Sequence, residues 1–311
     1  MTSAKSGDST TPLFDRDVSL ASLTSWHVGG KADFLAQPKT VDELRAALSW
    51  FNSRSIPLTI LGGGTNVLVS DRGVRGAVIA LGKMSGVAVE ERAKRLHVTC
   101  LAGTPKSELL RVFLKYRLEP ALFLAGLPGD IGGGVAMNAG VGEMIKPREF
   151  NEITDWIDVF RMGAPGEGTI HLDHIQAEDL RWGYRHSEGW QPGVIVRVGL
   201  SWPLEPVDDV LVRVKHANQA RLSKQPLDQP NCGSVFVNPP GHKAGKLIQD
   251  CGLKGFSLGG AQVSEKHANF IVNSGGATAD AIDSVIKHVQ RTVLEKTGIE
   301  LHTEVIYLGD W

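Results

Sequence analysis

One stretch of the chain decides the fold, and it reads Leu58-Thr59-Ile60-Leu61-Gly62-Gly63-Gly64-Thr65-Asn66-Val67-Leu68-Val69. The apolar run before the glycines predicts a buried strand, and strand character resumes after them. Consecutive glycines let backbone amides approach a phosphate closely, because no Cβ atom stands in the way. The hydroxyl of Thr65 and the amide of Asn66 add further hydrogen-bonding groups. Taken alone, the turn is equally consistent with a tight β-turn that binds nothing.

The turn differs from two common nucleotide-binding loops, because it lacks both a G-x-G-x-x-G pattern leading into a helix and a Gly-Lys-Ser/Thr sequence. A second glycine-rich segment, from Ala125 to Gly140, favours a ligand more strongly. So many glycines are costly in chain entropy, and a chain tolerates them where a flat or phosphate-bearing ligand lies on the backbone. The alternative is a buried structural loop. A third small-residue segment, Thr24 to Ala32, could face the same ligand or form an ordinary strand turn.

The residues predicted from these segments to hold a dinucleotide cofactor are Gly62, Gly63, Gly64, Thr65, Asn66, Gly126, Gly129, Gly132, Gly133, Asn138, Ala139 and Gly140.

Composition excludes several classes of protein. The net charge is -1, with 33 basic and 34 acidic residues, so there is no basic excess to hold nucleic acid. Three cysteines fit neither a zinc pattern nor a disulfide framework, and we expect no metal. No apolar run approaches the ~18 residues that span a bilayer. The polar residues 1–12 predict a flexible tail without a signal peptide, and we expect a soluble, cytoplasmic protein.

Three polar side chains stand where chemistry could occur. Arg185, within Tyr184-Arg185-His186-Ser187, could bind a carboxylate bidentately, although most arginines are simply on the surface. Ser234 follows a glycine and precedes an apolar strand, without the Gly-x-Ser-x-Gly elbow of a hydrolase. Glu304 precedes the final predicted strand and, alone, is only a strand-edge carboxylate.

Together these motifs resemble one family, the UDP-N-acetylenolpyruvoylglucosamine reductases, over nearly the whole chain after the tail. Each motif is weak by itself, but all occur in the family's order. They are Leu61 to Asn66, Gly126 to Gly140, Gly183 to Ser187, Gly233 to Pro239, Ala244 to Ile248, Gly252 to Gly255, Gly259 to Asn273 and Thr303 to Val305.

The resemblance implies an α+β chain with an FAD-binding fold of the vanillyl-alcohol-oxidase type in two subdomains, plus a C-terminal α+β substrate-binding domain. The expected boundaries are 13–80 for the first FAD subdomain, joined by a C-terminal strand within 304–311, then 81–212 for the second, and 213–303 for the substrate domain. The implied cofactor is non-covalent FAD. The implied partners are small molecules, with NADPH as co-substrate, and we expect a monomer that binds neither nucleic acid nor membrane.

The resemblance also implies roles for individual residues. NADPH reduces the FAD, and hydride then passes from the flavin to C3 of the enolpyruvyl group of UDP-N-acetylglucosamine enolpyruvate, giving UDP-N-acetylmuramate for peptidoglycan synthesis. Ser234 would protonate C2, while Arg185 and Glu304 would stabilise the enolate beside the substrate carboxylate. The residues implied to contact substrate are Tyr184, Lys224, Asn238 and His267.

Two departures from the family pattern matter. The short distance from Arg185 to Lys224 leaves little room for the lid insertion, with its tyrosine, that one branch of the family carries. The chain therefore resembles the shorter branch. His267 stands where some relatives carry glutamine, which could make substrate binding depend on pH. Two other functions stay open, an FAD oxidase or dehydrogenase of the same fold and a non-catalytic nucleotide-sugar binder.

Overall fold

The structure is a computed structural model, and it describes residues 14–142 and 145–311. The predicted tail, residues 1–12, lies outside the described residues. Strands are labelled β1 to β16 and helices α1 to α7 in chain order below.

The first part of the chain forms a four-stranded sheet with the order β1-β2-β5-β3, in which β2, β5 and β3 run parallel. The elements in this part of the chain are β1 (Asp15–Ser19), β2 (Lys31–Ala36), α1 (Val41–Asn52), β3 (Leu58–Leu61), β4 (Val67–Val69) and β5 (Val74–Ala80). Helix α1 begins after a cap, because the Thr40 hydroxyl accepts a hydrogen bond from the Glu43 amide at 3.1 Å. The sequence Thr40-Val41-Asp42-Glu43 predicts a capping box, in which the Glu43 carboxylate would accept from the Thr40 amide. In the structure it accepts instead from the amide of Lys39, one residue earlier. The crossover through α1 returns the chain parallel to β2.

The middle of the chain forms a five-stranded antiparallel sheet with the order β6-β7-β12-β8-β9. Its strands, with the β10–β11 hairpin, are β6 (Val87–Arg92), β7 (Arg95–Leu101), β8 (Thr154–Met162), β9 (Ile170–Gln176), β10 (Arg181–Gly183), β11 (His186–Glu188) and β12 (Val194–Pro203). Its helices are α2 (Lys106–Lys115), α3 (Pro120–Leu124) and α4 (Ile131–Ala136). The buried faces of α1, α2 and the sheet share one hydrophobic core, so the first two parts of the chain pack as a unit.

The last third packs mainly in a second core, which also includes Trp26, Val28 and Leu68, and it contains a three-stranded sheet, β13-β14-β15. Its elements are α5 (Val210–Lys224), α6 (Ala244–Asp250), β13 (Ser257–Leu258), β14 (Ala261–Val263), β15 (Ile271–Asn273), α7 (Ala279–Thr297) and β16 (Ile306–Leu308). Helix α7 begins at a Thr278 cap and ends at Gly298, whose φ of 71° is left-handed. Its buried side covers the small sheet. The sequence predicts both ends, because apolar residues at helical spacing begin after Thr278 and Gly298 is a typical C-terminal stop.

The final strand leaves this third unit and returns to the beginning of the chain. β16 pairs in parallel with β4, directly after the first glycine turn. The Asn66 side chain donates to the Glu304 carbonyl at 3.0 Å, and the Ile306 amide donates to the Asn66 carbonyl at 3.0 Å. This pairing places Glu304 beside the glycine turn although the two are far apart in sequence.

Two expectations from the sequence differ from the structure. The segment from Leu124 to Gly142 reads as an irregular loop, yet it contains α4, because the Asp130 carboxylate caps that helix by accepting from the Gly133 amide at 2.8 Å. The predicted boundary between residues 212 and 213 falls inside α5, which begins at Val210. The buried side chains of α5, Val210 and Val214, pack in the core shared by the first two parts of the chain, so the boundary belongs after this helix. Within the described ranges, no helix is both long and apolar enough to cross a membrane.

Candidate functional site

A cavity of about 1070 Å³ lies where the three parts of the chain meet. That volume is at the upper end of small-molecule pockets, so it suits a large ligand or two ligands together. The predicted site residues that line it are Gly62, Gly63, Gly64, Thr65, Asn66, Gly126, Gly132, Gly133, Ala139, Gly140, Tyr184, Arg185, Lys224, Ser234, Asn238, His267 and Glu304. Gly129 and Asn138 lie behind this lining.

The two glycine-rich segments touch each other at one wall of the cavity. A Cβ atom added to Gly63 would lie 2.8 Å from the Gly129 Cα, and one added to Gly62 would lie 2.8 Å from an Asp130 carboxylate oxygen. Both distances are too short for a side chain. Glycine is therefore required at these positions by the packing of the two turns, whatever ligand they hold.

The turns also fit a phosphate-bearing cofactor such as FAD. The backbone amides of Gly64, Thr65 and Gly140 donate no hydrogen bond to any other group in the described part of the chain. Buried polar groups are normally paired, so amides left unpaired at a cavity wall suit the oxygens of a phosphate. The residues present therefore fit FAD, which would lie along Gly62 to Asn66 and Gly126 to Gly140.

Gly64 gives a first prediction. Its φ of 63° is left-handed, and an added Cβ would lie 1.9 Å from the Leu23 carbonyl oxygen. We expect Gly64→Ala to lower the free energy of unfolding by about 2–4 kcal/mol, because backbone strain and a steric clash add together. Thermal and urea unfolding of the apoprotein measure this. Gly82→Ala is the matched control, since nothing lies within 4 Å of its added Cβ; equal effects of both substitutions would contradict the prediction.

Arg185 is presented to the cavity by a tight hairpin. Gly183 pairs with His186, so Tyr184 and Arg185 occupy the two turn positions between β10 and β11. Arg185 has a φ of 60°, which is rare for a residue with a side chain and marks a constrained position. The guanidinium lies 4.8 Å from the centroid of the Tyr184 ring. Both side chains line the cavity, Arg185 largely buried and Tyr184 half-exposed.

The Arg185 guanidinium is held at two of its nitrogens and lacks a partner at the third. Nε lies 3.3 Å from the Glu304 carboxylate, and one terminal nitrogen donates to the Gly140 carbonyl at 3.1 Å. The other, Nη1, is buried without a hydrogen-bond partner among the described residues. An unpaired buried guanidinium nitrogen is costly, which indicates a site for an anionic ligand. Burial raises the pKa of Glu304, and Arg185 partly offsets that shift.

Ser234 lies on a loop that its neighbours fix. The Asn231 side chain accepts from the Gly233 amide at 2.9 Å and donates to the carbonyls of Pro226 and Gln229. Beyond the serine, the Asn269 side chain makes two hydrogen bonds to the backbone of Phe236. The hydroxyl therefore stands at the cavity wall on a chain held from both sides.

The predicted substrate residues lie at the same cavity but differ in what they can do. The side-chain oxygen of Asn238 accepts from the Ala244 amide at 3.0 Å, at the first residue of α6. This leaves the NH₂ group of the Asn238 side chain for a ligand. Burial, followed by the nearby Lys254, lowers the pKa of His267. His267 is therefore neutral at pH 7 and can serve as a hydrogen-bonding group there, not as a cation. Lys224 stands at the end of α5, exposed at the rim.

Asn138 has a positioning role in the structure. Its amide donates to Glu149 at 3.1 Å and to the Gly183 carbonyl at 3.1 Å, and its oxygen accepts from the Asn151 amide at 3.0 Å. The side chain thus joins the second glycine segment to the hairpin that carries Arg185. Sequence reasoning missed Glu149 and also Lys106, because each looks like an ordinary surface charge in its local sequence. Both line the cavity.

Comparisons with known proteins agree with this geometry. Residues 225–308 match the family model for the C-terminal domain of UDP-N-acetylenolpyruvoylglucosamine reductase, and residues 32–159 match an FAD binding domain. The predicted α+β fold with an FAD-binding domain is confirmed.

Relatives cover nearly the whole chain. A UDP-N-acetylenolpyruvoylglucosamine reductase from Clostridium botulinum strain Okra is 40% identical over 92% of this chain and 90% of its own length. The reductase from Caldanaerobacter subterraneus subsp. tengcongensis is 36% identical over 92% of this chain and 91% of its own. The crystal structure of the Thermus caldophilus reductase aligns with a TM-score of 0.75 at 31% identity, covering 95% of this chain and 98% of that one. The chain therefore belongs to the UDP-N-acetylenolpyruvoylglucosamine reductase family.

Proposed function

We propose that the chain is an FAD-dependent oxidoreductase that uses NADPH to reduce UDP-N-acetylglucosamine enolpyruvate to UDP-N-acetylmuramate, a step of peptidoglycan precursor synthesis. The observation that carries the proposal is the meeting of Arg185, Glu304 and Ser234 at one cavity lined by both glycine turns. Bound FAD supplies the hydride chemistry. The chain's own residues hold the substrate and move its proton.

Arg185 binds the substrate carboxylate in this proposal. Its buried Nη1 has no partner in the described structure, so a carboxylate oxygen would complete its hydrogen bonding. Glu304 keeps the guanidinium oriented through the 3.3 Å contact with Nε. Negative charge that develops toward the carboxylate is stabilised by a cation already in place.

Ser234 donates the proton to C2 of the enolpyruvyl group. A hydroxyl is a weak acid, but a carbanion-like centre is a strong base, so the transfer is favourable once the substrate is aligned. The fixed loop around Ser234 provides that alignment.

The uridine diphosphate lies toward the basic end of the cavity in this proposal. Between Arg185 and Lys224 the described chain is occupied by β11, β12 and α5, with connections too short for a lid domain. The side chains of Lys224, Lys243 and Lys266 line the cavity and would neutralise a diphosphate. Tyr184, Asn238 and His267 add neutral hydrogen-bonding groups.

The domain division is also a proposal. The first FAD subdomain covers 13–80 with the strand at 304–311, the second 81–224, and the substrate domain 225–303, because α5 packs on the second subdomain and the C-terminal family model matches from residue 225. The second core, most of whose residues come from Cys232 onward, and the return of β16 support it. We further propose a cytoplasmic monomer, and size-exclusion chromatography with light scattering at several concentrations would test the monomer.

The deciding experiment follows the flavin colour through one turnover. Under anaerobic conditions, NADPH should bleach the flavin absorbance, and UDP-N-acetylglucosamine enolpyruvate should restore it with formation of UDP-N-acetylmuramate. An oxidase of the same fold would regain colour with oxygen and ignore this substrate. A non-catalytic sugar-nucleotide binder would be colourless. Failure of the enolpyruvyl substrate to reoxidise the flavin would contradict the proposal.

The mode of FAD attachment gives a second prediction. Of the three cysteines, all buried, Cys232 lines the cavity, and burial raises the pKa of its thiol well above the usual value. A neutral buried thiol is a poor nucleophile, so we expect no covalent bond to the flavin. Acid precipitation should release all of the yellow colour to the supernatant. Flavin retained in the pellet would contradict this expectation and favour the oxidase alternative.

A further inference from the structure

Lys106 is a buried cation at the cavity wall that the proposed mechanism leaves without a role. It is the first residue of α2, only 5% exposed, and it lines the cavity. Its Nζ donates to the Pro128 carbonyl at 2.8 Å and lies 5.7 Å from the centroid of the Phe150 ring. Within the described ranges, no carboxylate oxygen lies within the 4.0 Å of an ion pair with Nζ. Burying an unpaired ammonium group is expensive, so its retention calls for an anionic partner.

The nearest carboxyl group does not supply that partner. Asp130 is 4% exposed, its Oδ1 accepts from the Gly133 amide at 2.8 Å, and its Oδ2 has no partner in the part of the chain that the structure describes. Burial raises the pKa of Asp130 in spite of the amide and of Lys106, so its negative charge is itself weakened. Arg185 adds a second positive charge close by. Glu304 balances that second charge, whereas no ion pair within the described ranges balances Lys106.

The position of Nζ points to the cofactor. It lies 3.6 Å from a Cβ atom built on Gly129, so it is level with the second glycine turn, next to where that turn meets the first. We propose that Lys106 binds FAD directly, with Nζ donating a charge-assisted hydrogen bond to an oxygen of the cofactor that carries negative charge. The inference rests on the FAD-binding part of the proposed function. The oxygen belongs either to the anionic pyrophosphate or to the pyrimidine end of the isoalloxazine, whose carbonyl oxygen carries a partial negative charge in oxidised FAD; both accept a hydrogen bond from an ammonium group.

The test is equilibrium binding of FAD to apoprotein, followed by quenching of flavin fluorescence. Lys106→Met should weaken FAD binding by about 10- to 100-fold, the usual worth of a hydrogen bond to a charged group. Lys106→Arg should restore part of it. Lys115→Met is the matched control, because Lys115 is an exposed lysine of the same helix, and it should leave the affinity unchanged.

Riboflavin, which lacks phosphate, identifies the oxygen. A loss with both FAD and riboflavin places Nζ at the isoalloxazine, and a loss with FAD alone places it at the pyrophosphate. Equal FAD affinity of Lys106→Met and wild type would overturn the inference and leave the proposed function standing. Wild-type protein that binds no FAD would instead contradict the proposed function.

The pH dependence of wild-type binding tests the inference even where Lys106→Met does not fold. Burial, opposed by Asp130 and reinforced by Arg185, lowers the pKa of Lys106 to about 8. The charged form binds the cofactor, so FAD affinity should fall as the pH rises above about 8. The fall should persist in Asp130→Asn and vanish in Lys106→Arg. A flat wild-type profile between about pH 7 and 9.5 would overturn the inference.

Discussion

Ser234→Ala should leave the reduction of bound flavin by NADPH intact and slow its reoxidation by the enolpyruvyl substrate by about 10²- to 10⁴-fold, the usual contribution of a general acid. The reason is that hydride addition at C3 produces charge that has to be quenched by a proton at C2. Alanine retains the shape of the loop, because the side chains that fix it belong to Asn231 and Asn269. Only the proton donor is removed.

Stopped-flow spectroscopy separates the two half-reactions. The flavin absorbance is followed first with NADPH alone and then, after anaerobic reduction, with the enolpyruvyl substrate. Ser257→Ala serves as the control, since Ser257 is exposed on β13 and is not among the residues that line the cavity. If both half-reactions survive in Ser234→Ala, another group donates the proton. If both are lost, the serine acts through the structure of the site.

Arg185→Lys should slow the same oxidative half-reaction by about 10²- to 10³-fold, and by more than it weakens reduction by NADPH. Lysine keeps the charge but offers no planar fork, so it cannot hold Glu304, the Gly140 carbonyl and a carboxylate at once. Circular dichroism and FAD content verify that the variant is folded and loaded. An equal loss in both half-reactions would indicate that Arg185 only supports the hairpin.

Glu304→Gln tests the other half of this ion pair through pH. Because burial raises the pKa of Glu304, wild-type protein should lose the oxidative half-reaction on the acid side at a higher pH than an ordinary glutamate would dictate. Protonation removes the charge that orients Arg185. Glutamine removes the titrating group, so the variant should be slower and should lack this acid limb. An unchanged limb would assign it to another residue.

The sequence predicts the strands and helices best where the pattern is local. The buried run of β3, the capped start of α1 and the Gly298 end of α7 follow from neighbouring residues alone. Helix α4 escapes prediction because three successive glycines have poor helix propensity, and the Asp130 cap outweighs it only in the packed chain. Rules that consider only neighbouring residues cannot predict that packing.

The residues of the candidate site also differ in how well the sequence predicts them. The glycine turns and Arg185 can be predicted from the sequence, because glycine clusters and a hairpin produce recognisable patterns in a few neighbouring residues. Lys106 and Glu149 have no such local pattern. A lysine at the start of an amphipathic helix and a glutamate in a loop are normally solvated. Their burial arises from segments that meet only in the fold. The pairing of Asn138 with the hairpin is likewise a contact between distant parts of the chain.

The parallel pairing of β16 with β4 also orders events in time. Domains generally fold as they emerge during synthesis, so β4 and its glycine turn are made long before residues 306–308 exist. Until those residues arrive, β4 lacks the strand with which it pairs in the described structure, and the turn has no glutamate beside it. The first glycine turn is therefore made well before the strand and the side chains that hold Asn66 in place. The ion pair between Arg185 and Glu304 can form only at this last stage, when the end of the chain pairs with its beginning.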